Sequence, residues 1–284
     1  MKSINSIAEL RSELQAQRQN KRSIGLVPTM GNLHQGHIEL VNHALSCSDY
    51  VVSTIFVNPL QFGPNEDLRT YPRSLEQDTE KLRNAGCHCL FAPAVKEIFG
   101  NRLEAQTILH VPVLSERHCG KSRPGHFDGV ATVVCKLFNI VEPDSAYFGL
   151  KDYQQFVIIQ KIVNDLGFAI QLAGVETVRE ESGLALSSRN NYLSDEELQI
   201  AANIYRCLTD AKACILSGNK DYGSIEDKSL QIMKSVGLDP HYFSICNAHD
   251  LEPAHENHTE IIILAAENLG ATRLIEKIQN SLES

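Results

Sequence analysis

An α/β fold, built as a doubly wound parallel sheet followed by a smaller C-terminal α+β domain, is what the sequence predicts. Three observations carry that prediction. Short β-branched or apolar runs alternate with helical periodicities up to about residue 175, which implies parallel strands with helices on both faces. Glycine-bearing turns follow several of these runs. Past residue 180 the alternation stops, and two helical patterns precede three strand candidates. The expected division is therefore 1–178 and 179–284, with a hinge near 176–186.

Taken in order, residues 3–19 carry Ile7, Leu10 and Leu14 at helical spacing and read as one amphipathic helix. Ile24 to Val27 is an apolar strand, and Ile38, Val41 and Leu45 mark the helix after its turn. Val51 to Val57 is rich in β-branched residues and stops at a loop, Asn58 to Pro64, where prolines and a glycine break the pattern. Ser74 and Gln77 match a capping box for a helix to about Asn84, with Gly86 suited to its C-terminus. Cys89 to Ala92 and Thr107 to Val113 are strand candidates. Residues 130–141 carry a wide apolar helical stripe. Ala146 to Phe148 is a short strand. A helix burying Phe156, Ile159, Val163 and Leu166 then ends at Gly167, and Ile170 to Val175 is a strand. Ser194 and Glu197 form another capping box opening a long helix, and a further helix spans 223–236. Tyr242–Cys246, Ile261–Ala265 and Thr272–Ile275 close the chain as strands.

Composition narrows the function. With 284 residues and 43% hydrophobic content, the chain can bury a large core. Its net charge of −9 argues against a broad nucleic-acid surface, which rests on Lys and Arg neutralising phosphates, and so against a tRNA synthetase. Among the eight cysteines the nearest pairs are Cys87-x-Cys89 and His118-Cys119, and neither has the C-x₂₋₄-C spacing of structural zinc. No apolar leader and no run of about 18 apolar residues is present. A reduced, cytoplasmic protein with free thiols, and no membrane or nucleic-acid partner, is the expectation.

The chemistry concentrates in Val27 to His37. Here a strand ends, a helix begins, and the free N–H groups and dipole of the helix start favour a phosphate. Gly31 and Gly36 admit a close backbone approach, and His34 and His37 each offer a donor and, near neutral pH, a transferable proton. The turn Gly149-Leu150-Lys151-Asp152 repeats the arrangement with a mobile cation, although Asp152 and Gln155 also fit a helix capping box. Ser187, Ser188 and Arg189 lie in a polar loop at the domain junction, where two hydroxyls and a guanidinium suit a triphosphate. Gln61 is neutral and can donate and accept at once, which suits a hydroxy acid or its amide.

His34-x-Gly36-His37 resembles the HxGH signature of the nucleotidyltransferase superfamily. The longer match is more specific. Pro28 to His37, Phe56 to Phe62, Arg123 to Val130, Phe148 to Gln155 and Leu186 to Leu193 together resemble the pantothenate synthetase (pantoate–β-alanine ligase) family, in order and across most of the chain.

That resemblance implies a Rossmann-like sheet and ATP-dependent joining of (R)-pantoate to β-alanine through a pantoyl-adenylate, releasing AMP and pyrophosphate. It implies ATP binding by Met30, Gly31, Asn32, Leu33, His34, Gln35, Gly36 and His37, by Gly149, Leu150, Lys151 and Asp152, by Val178, and by Leu186, Ser187, Ser188 and Arg189. His37 would be the proton donor, acting with His34, Lys151 and Arg189. Gln61 and Gln155, with Asn58 beside them, would hold pantoate and the amine. Mg²⁺ is expected, with Asp78 at an acidic position implicated in holding it, and so is a homodimer. Leu150, Glu176 and Lys121 depart from the family's usual residues without touching a matched catalytic position. The rival expectations are another HxGH adenylyltransferase acting on a phosphorylated cofactor precursor, and a nucleotide-binding regulator without turnover.

Overall fold

A computed structural model describes residues 1–64 and 66–281. Its first part contains β1 (Lys2–Ile4), α1 (Ile7–Gln19), β2 (Ile24–Thr29), α2 (Gln35–Cys47), β3 (Tyr50–Ile55), α3 (Leu75–Asn84), β4 (Cys89–Phe91) and α4 (Val95–Phe99). There follow α5 (Cys119–Ser122), α6 (His126–Val141), β5 (Ser145–Gly149), α7 (Tyr153–Asp165) and β6 (Gln171–Val175). These strands form one sheet in the order β1-β4-β3-β2-β5-β6, with every pair parallel.

The inner strands β2, β3, β4 and β5 are largely buried because both faces are covered, whereas the edge strands β1 and β6 are partly exposed. Ile24, Leu26, Val52 and Phe91 pack with Leu10 and Leu14 of α1, Phe138 of α6 and Ile159 of α7. Val27, Val51 and Leu90 point the other way, onto Leu40, Val41 and Ala44 of α2 and Leu82 of α3. From β2 the chain proceeds to β3 on one side and reaches β5 on the other. The strand order therefore reverses beside β2, and a crevice opens at the carboxyl ends of β2 and β5.

The chain continues with α8 (Asp195–Leu216), α9 (Tyr222–Ser235), β7 (Asp239–Asn247), β8 (Glu260–Leu269) and β9 (Thr272–Ser281), the strands pairing as an antiparallel meander. Ile261, Ile263 and Ala265 of β8 pack beneath α8 and α9. Ile262 and Leu264 face the parallel-sheet unit, sharing a core with Phe127, Tyr153, Val157 and Ile158. The two units are thus joined by apolar packing.

Three local expectations are corrected. Residues 3–19 are not one helix: Lys2–Ile4 pairs with β4, and Ser6 caps α1 by accepting from the Glu9 N–H at 3.3 Å. Thr107 to Val113 is not a strand; it crosses α6, where the Leu109 N–H reaches Thr132 Oγ1 at 2.9 Å. Ser74 makes no capping bond and donates instead to Asp78 at 3.1 Å. The Ser194–Glu197 capping box does form, with bonds of 2.8 and 3.2 Å.

Candidate active site

The crevice beside β2 is lined by Met30, His34, Gly36 and His37 from the first turn and by Gly149, Lys151 and Asp152 from the turn after β5. Gln155 stands one helical turn further on. Asn58 and Gln61 enter from the loop after β3. Val178, Leu186, Ser187, Ser188 and Arg189 cover the far side. Residues separated by some 150 positions meet here because parallel strands all end at the same rim. Gly31, Asn32, Leu33, Gln35 and Leu150 were also expected to contact nucleotide, but they do not line the crevice. Leu150 is buried against Gly174, and Leu33 is likewise buried.

The first turn is wired through its backbone. Gly31 sits at φ +85°, a left-handed conformation that suits glycine, and directs the chain back over α3. There both oxygens of Asp78 accept main-chain N–H bonds, from Asn32 and Leu33 at 2.8 Å each, while Lys81 Nζ donates to the Leu33 carbonyl at 2.6 Å. Asp78 is fully buried and absent from the crevice wall. Its carboxylate, expected to hold Mg²⁺, is engaged here in bracing the turn.

His34 and His37 occupy the first turn of α2. The His34 N–H donates to His37 Nδ1 at 3.2 Å, and the Gly36 N–H donates to His34 Nδ1 at 3.2 Å. With both Nδ1 atoms accepting, each ring carries its proton on Nε2. Burial, then the charge of Lys151, lowers the His34 pKa to about 4. Burial, then His34 and Lys151, lowers that of His37 to about 3. At neutral pH both rings are therefore neutral hydrogen-bond donors in the free protein.

The second turn is different. Asp152 makes no side-chain capping bond, and among the described residues neither Lys151 Nζ nor the Asp152 carboxylate has a hydrogen-bond or ion-pair partner. The capping alternative for Asp152 is thereby set aside. Across the crevice, Arg189 lies 3.4 Å from Asp67. The strap carrying Arg189 is anchored below by Arg179, which pairs with Glu276 at 2.8 Å, and by the Ala185 N–H, which also donates to Glu276.

Asn58 is 1% exposed and faces inward. Its Nδ2 donates to the Gly129 carbonyl and to Gln61 Oε1, both at 3.0 Å, so it orients Gln61. Gly129 permits this contact, since a Cβ there would lie 2.3 Å from the Leu60 carbonyl oxygen. Tyr71, Arg123, His126 and Thr177 also line the crevice, although no role was expected for them. Arg123 and His126 lay within a matched motif, the one available signal. Mg²⁺ favours oxygen ligands and commonly binds through one or two carboxylates plus substrate phosphates. Asp152 offers such a carboxylate at the wall, whereas no cluster of three or more His, Cys, Asp or Glu able to hold a metal exists among the described residues.

A helix start presenting two histidines beside a lysine at the switch point of a parallel sheet defines an ATP-handling enzyme of the HxGH class. The sequence model of Pantoate-beta-alanine ligase matches residues 2–279, and the chain belongs to that family. It is 50% identical over 278 residues to the pantothenate synthetase of Marinobacter nauticus, covering 98% of this chain and 99% of that one. The crystal structure of pantothenate synthetase from Thermus thermophilus superposes with a TM-score of 0.91 at 40% identity, over 98% of this chain and 99% of that chain. Pantoate-β-alanine ligase from Francisella tularensis, complexed with β-γ ATP and β-alanine, superposes with a TM-score of 0.82 at 34% identity, over 98% and 97% of the two chains.

Proposed function

We propose that the protein condenses pantoate with β-alanine using ATP, through a pantoyl-adenylate, and releases AMP and pyrophosphate. The observation that supports it most is the convergence of the two neutral histidine donors, Lys151 and Arg189 on one crevice that also holds Gln61 and Gln155. A carboxylate is a poor acylating agent because its oxygen leaves badly. Attack of the pantoate carboxylate on the α-phosphate gives a mixed anhydride from which AMP leaves when the amine attacks. The protein supplies no nucleophile; it aligns the carboxylate and stabilises charge on the α-phosphate and pyrophosphate.

In this proposal His34 and His37 donate from Nε2 to phosphate oxygens, and the bound polyanion raises their proton affinity where charge develops. Lys151, without an internal partner, follows the moving charge, and Arg189 exchanges Asp67 for the departing pyrophosphate. Met30, Gly36, Gly149, Val178, Leu186, Ser187 and Ser188 shape the nucleotide side; Gln61 and Gln155 hold pantoate and then the amine. Asp152 would be the carboxylate to hold Mg²⁺, which when bound would supply further neutralisation of phosphate charge.

Residues 1–178 form the nucleotide and pantoate unit in this account, and 179–284 cover it. Their shared apolar core restricts closure to small displacements of the Arg189 strap. Among the described residues no helix is long and apolar enough to cross a membrane. A cytoplasmic homodimer completes the proposal, and light scattering of the purified chain tests the dimer.

Pantoate-dependent exchange of labelled pyrophosphate into ATP, with β-alanine omitted, tests the first half-reaction. Exchange is expected with pantoate and absent without it. ADP as the product of amide formation would refute the account, since an acyl phosphate would then be the intermediate.

A further inference from the structure

Beneath Gln61 lies a chain of charged and polar groups to which the adenylation chemistry assigns nothing. Glu66 takes two bonds from Arg123, at 2.7 Å from Nε and 2.5 Å from Nη2. Arg123 Nη1 lies 2.9 Å from His126 Nε2, and His126 Nδ1 lies 2.8 Å from the Gln61 main-chain carbonyl. Arginine can only donate, so His126 Nε2 must accept, and the ring proton must sit on Nδ1, from which it is donated to Gln61.

The side chain of Gln61 is oriented by the same logic. Asn58 Oδ1 accepts from the Leu60 N–H at 3.2 Å, which fixes its amide, so Asn58 Nδ2 faces both the Gly129 carbonyl and Gln61 Oε1. With Oε1 occupied, the Gln61 Nε2 hydrogens remain for an acceptor in the crevice.

Resting on the function proposed above, we infer that Glu66, Arg123 and His126 are positioning residues that hold the main chain at Gln61, so that its amide donates to an acceptor oxygen of pantoate. The relay requires a neutral His126. Burial, then Arg123, lowers its pKa to about 4. Burial pushes the Glu66 carboxyl up, but Arg123 more than offsets it, keeping the carboxylate charged. The hydrogen bonds of the relay end on the Gln61 main chain, which the proposed function places against pantoate, so its loss is expected to be read in the pantoate KM.

The exchange assay distinguishes the cases. In His126→Ala the lost bond is expected to raise the pantoate KM by about tenfold, with the ATP KM unchanged. His126→Asn carries an amide N–H near the place of Nδ1 and should restore the pantoate KM to within about threefold of wild type. His126→Gln, whose amide lies near the place of Nε2, should behave like alanine. Equal pantoate KM values in the Asn and Ala variants would overturn the relay, as would parallel rises in both KM values. Should His126→Ala fail to fold, Glu66→Gln carries the same test, with an expected rise of about threefold in the pantoate KM alone. Absence of pantoate-dependent exchange in the wild-type protein would instead refute the function on which the relay rests.

Discussion

The turns after β2 and β5 flank the same crevice, yet they are built in opposite ways. In the first, backbone N–H groups occupy both histidine Nδ1 atoms and both Asp78 oxygens. In the second, Lys151 and Asp152 reach the crevice without an internal partner among the described residues. Under the proposed function the contrast separates two tasks. Donors that must already point at a phosphate are locked by the main chain, which avoids reorganisation during reaction. A cation that must follow charge from one phosphate to the next is left to move.

The sharpest way to break this contrast is to remove one donor from each side. His37→Ala and Lys151→Ala are each expected to lower the exchange rate by ~10²-fold or more. If the locked and mobile descriptions hold, Lys151→Arg retains part of the activity, whereas His37→Lys does not, since a flexible cation cannot replace a fixed neutral donor. Near-full turnover in His37→Ala would remove the role assigned to the first turn.

Asp78→Asn probes the bracing alone. One of the two buried N–H groups then loses its acceptor, at about 1–3 kcal/mol, and thermal denaturation should show the loss. The Mg²⁺ concentration for half-maximal activity should not change. A large shift in Mg²⁺ requirement, with stability intact, would restore Asp78 as a metal ligand.

A weaker effect concerns pH. Both histidine pKa values fall below the ordinary 6.5, to about 4 and about 3. Below pH 6.5 the unfolded chain takes up protons that the folded rings refuse, so stability is full above that value and is lost as pH falls toward the folded values. Denaturation midpoints of wild type and His37→Asn followed from pH 7 to pH 4 should therefore converge.

The smallest effect lies in the other unit. Glu267 is fully buried with neither oxygen paired among the described residues, and burial, then Glu276, pushes its carboxyl well above the ordinary range. The folded state holds this proton where the unfolded state releases it, so its contribution to stability declines as pH rises above the ordinary glutamate value. Glu267→Gln should raise the melting temperature at pH 8 and have little effect at pH 5. An unchanged melting temperature at both pH values would show that the carboxyl is solvated.

Much of the architecture was legible because burial on both faces leaves a strong mark. β2, β3 and β5 are short apolar runs, and the glycine-bearing turns after β2 and β5 are where a parallel sheet places its ligands. β1 was missed because three residues carry no period of their own and become a strand only by pairing with β4. Thr107 to Val113 is apolar enough for a strand but pairs with none among the described residues. At the site, His34, His37, Lys151 and Arg189 were visible in motifs. Glu66, Asp67 and Lys81 were not, since each acts on a residue far away in sequence through one side-chain contact.

Local chemistry determined the fold class and the cationic, glycine-bearing turns, because periodicity and backbone freedom are properties of neighbouring residues. Only the tertiary structure decided that the histidines are neutral, that Asp78 braces a turn, and which atom of Gln61 is left to donate. Those outcomes depend on burial and on partners brought together by the strand order, and neither is written in any short stretch of chain.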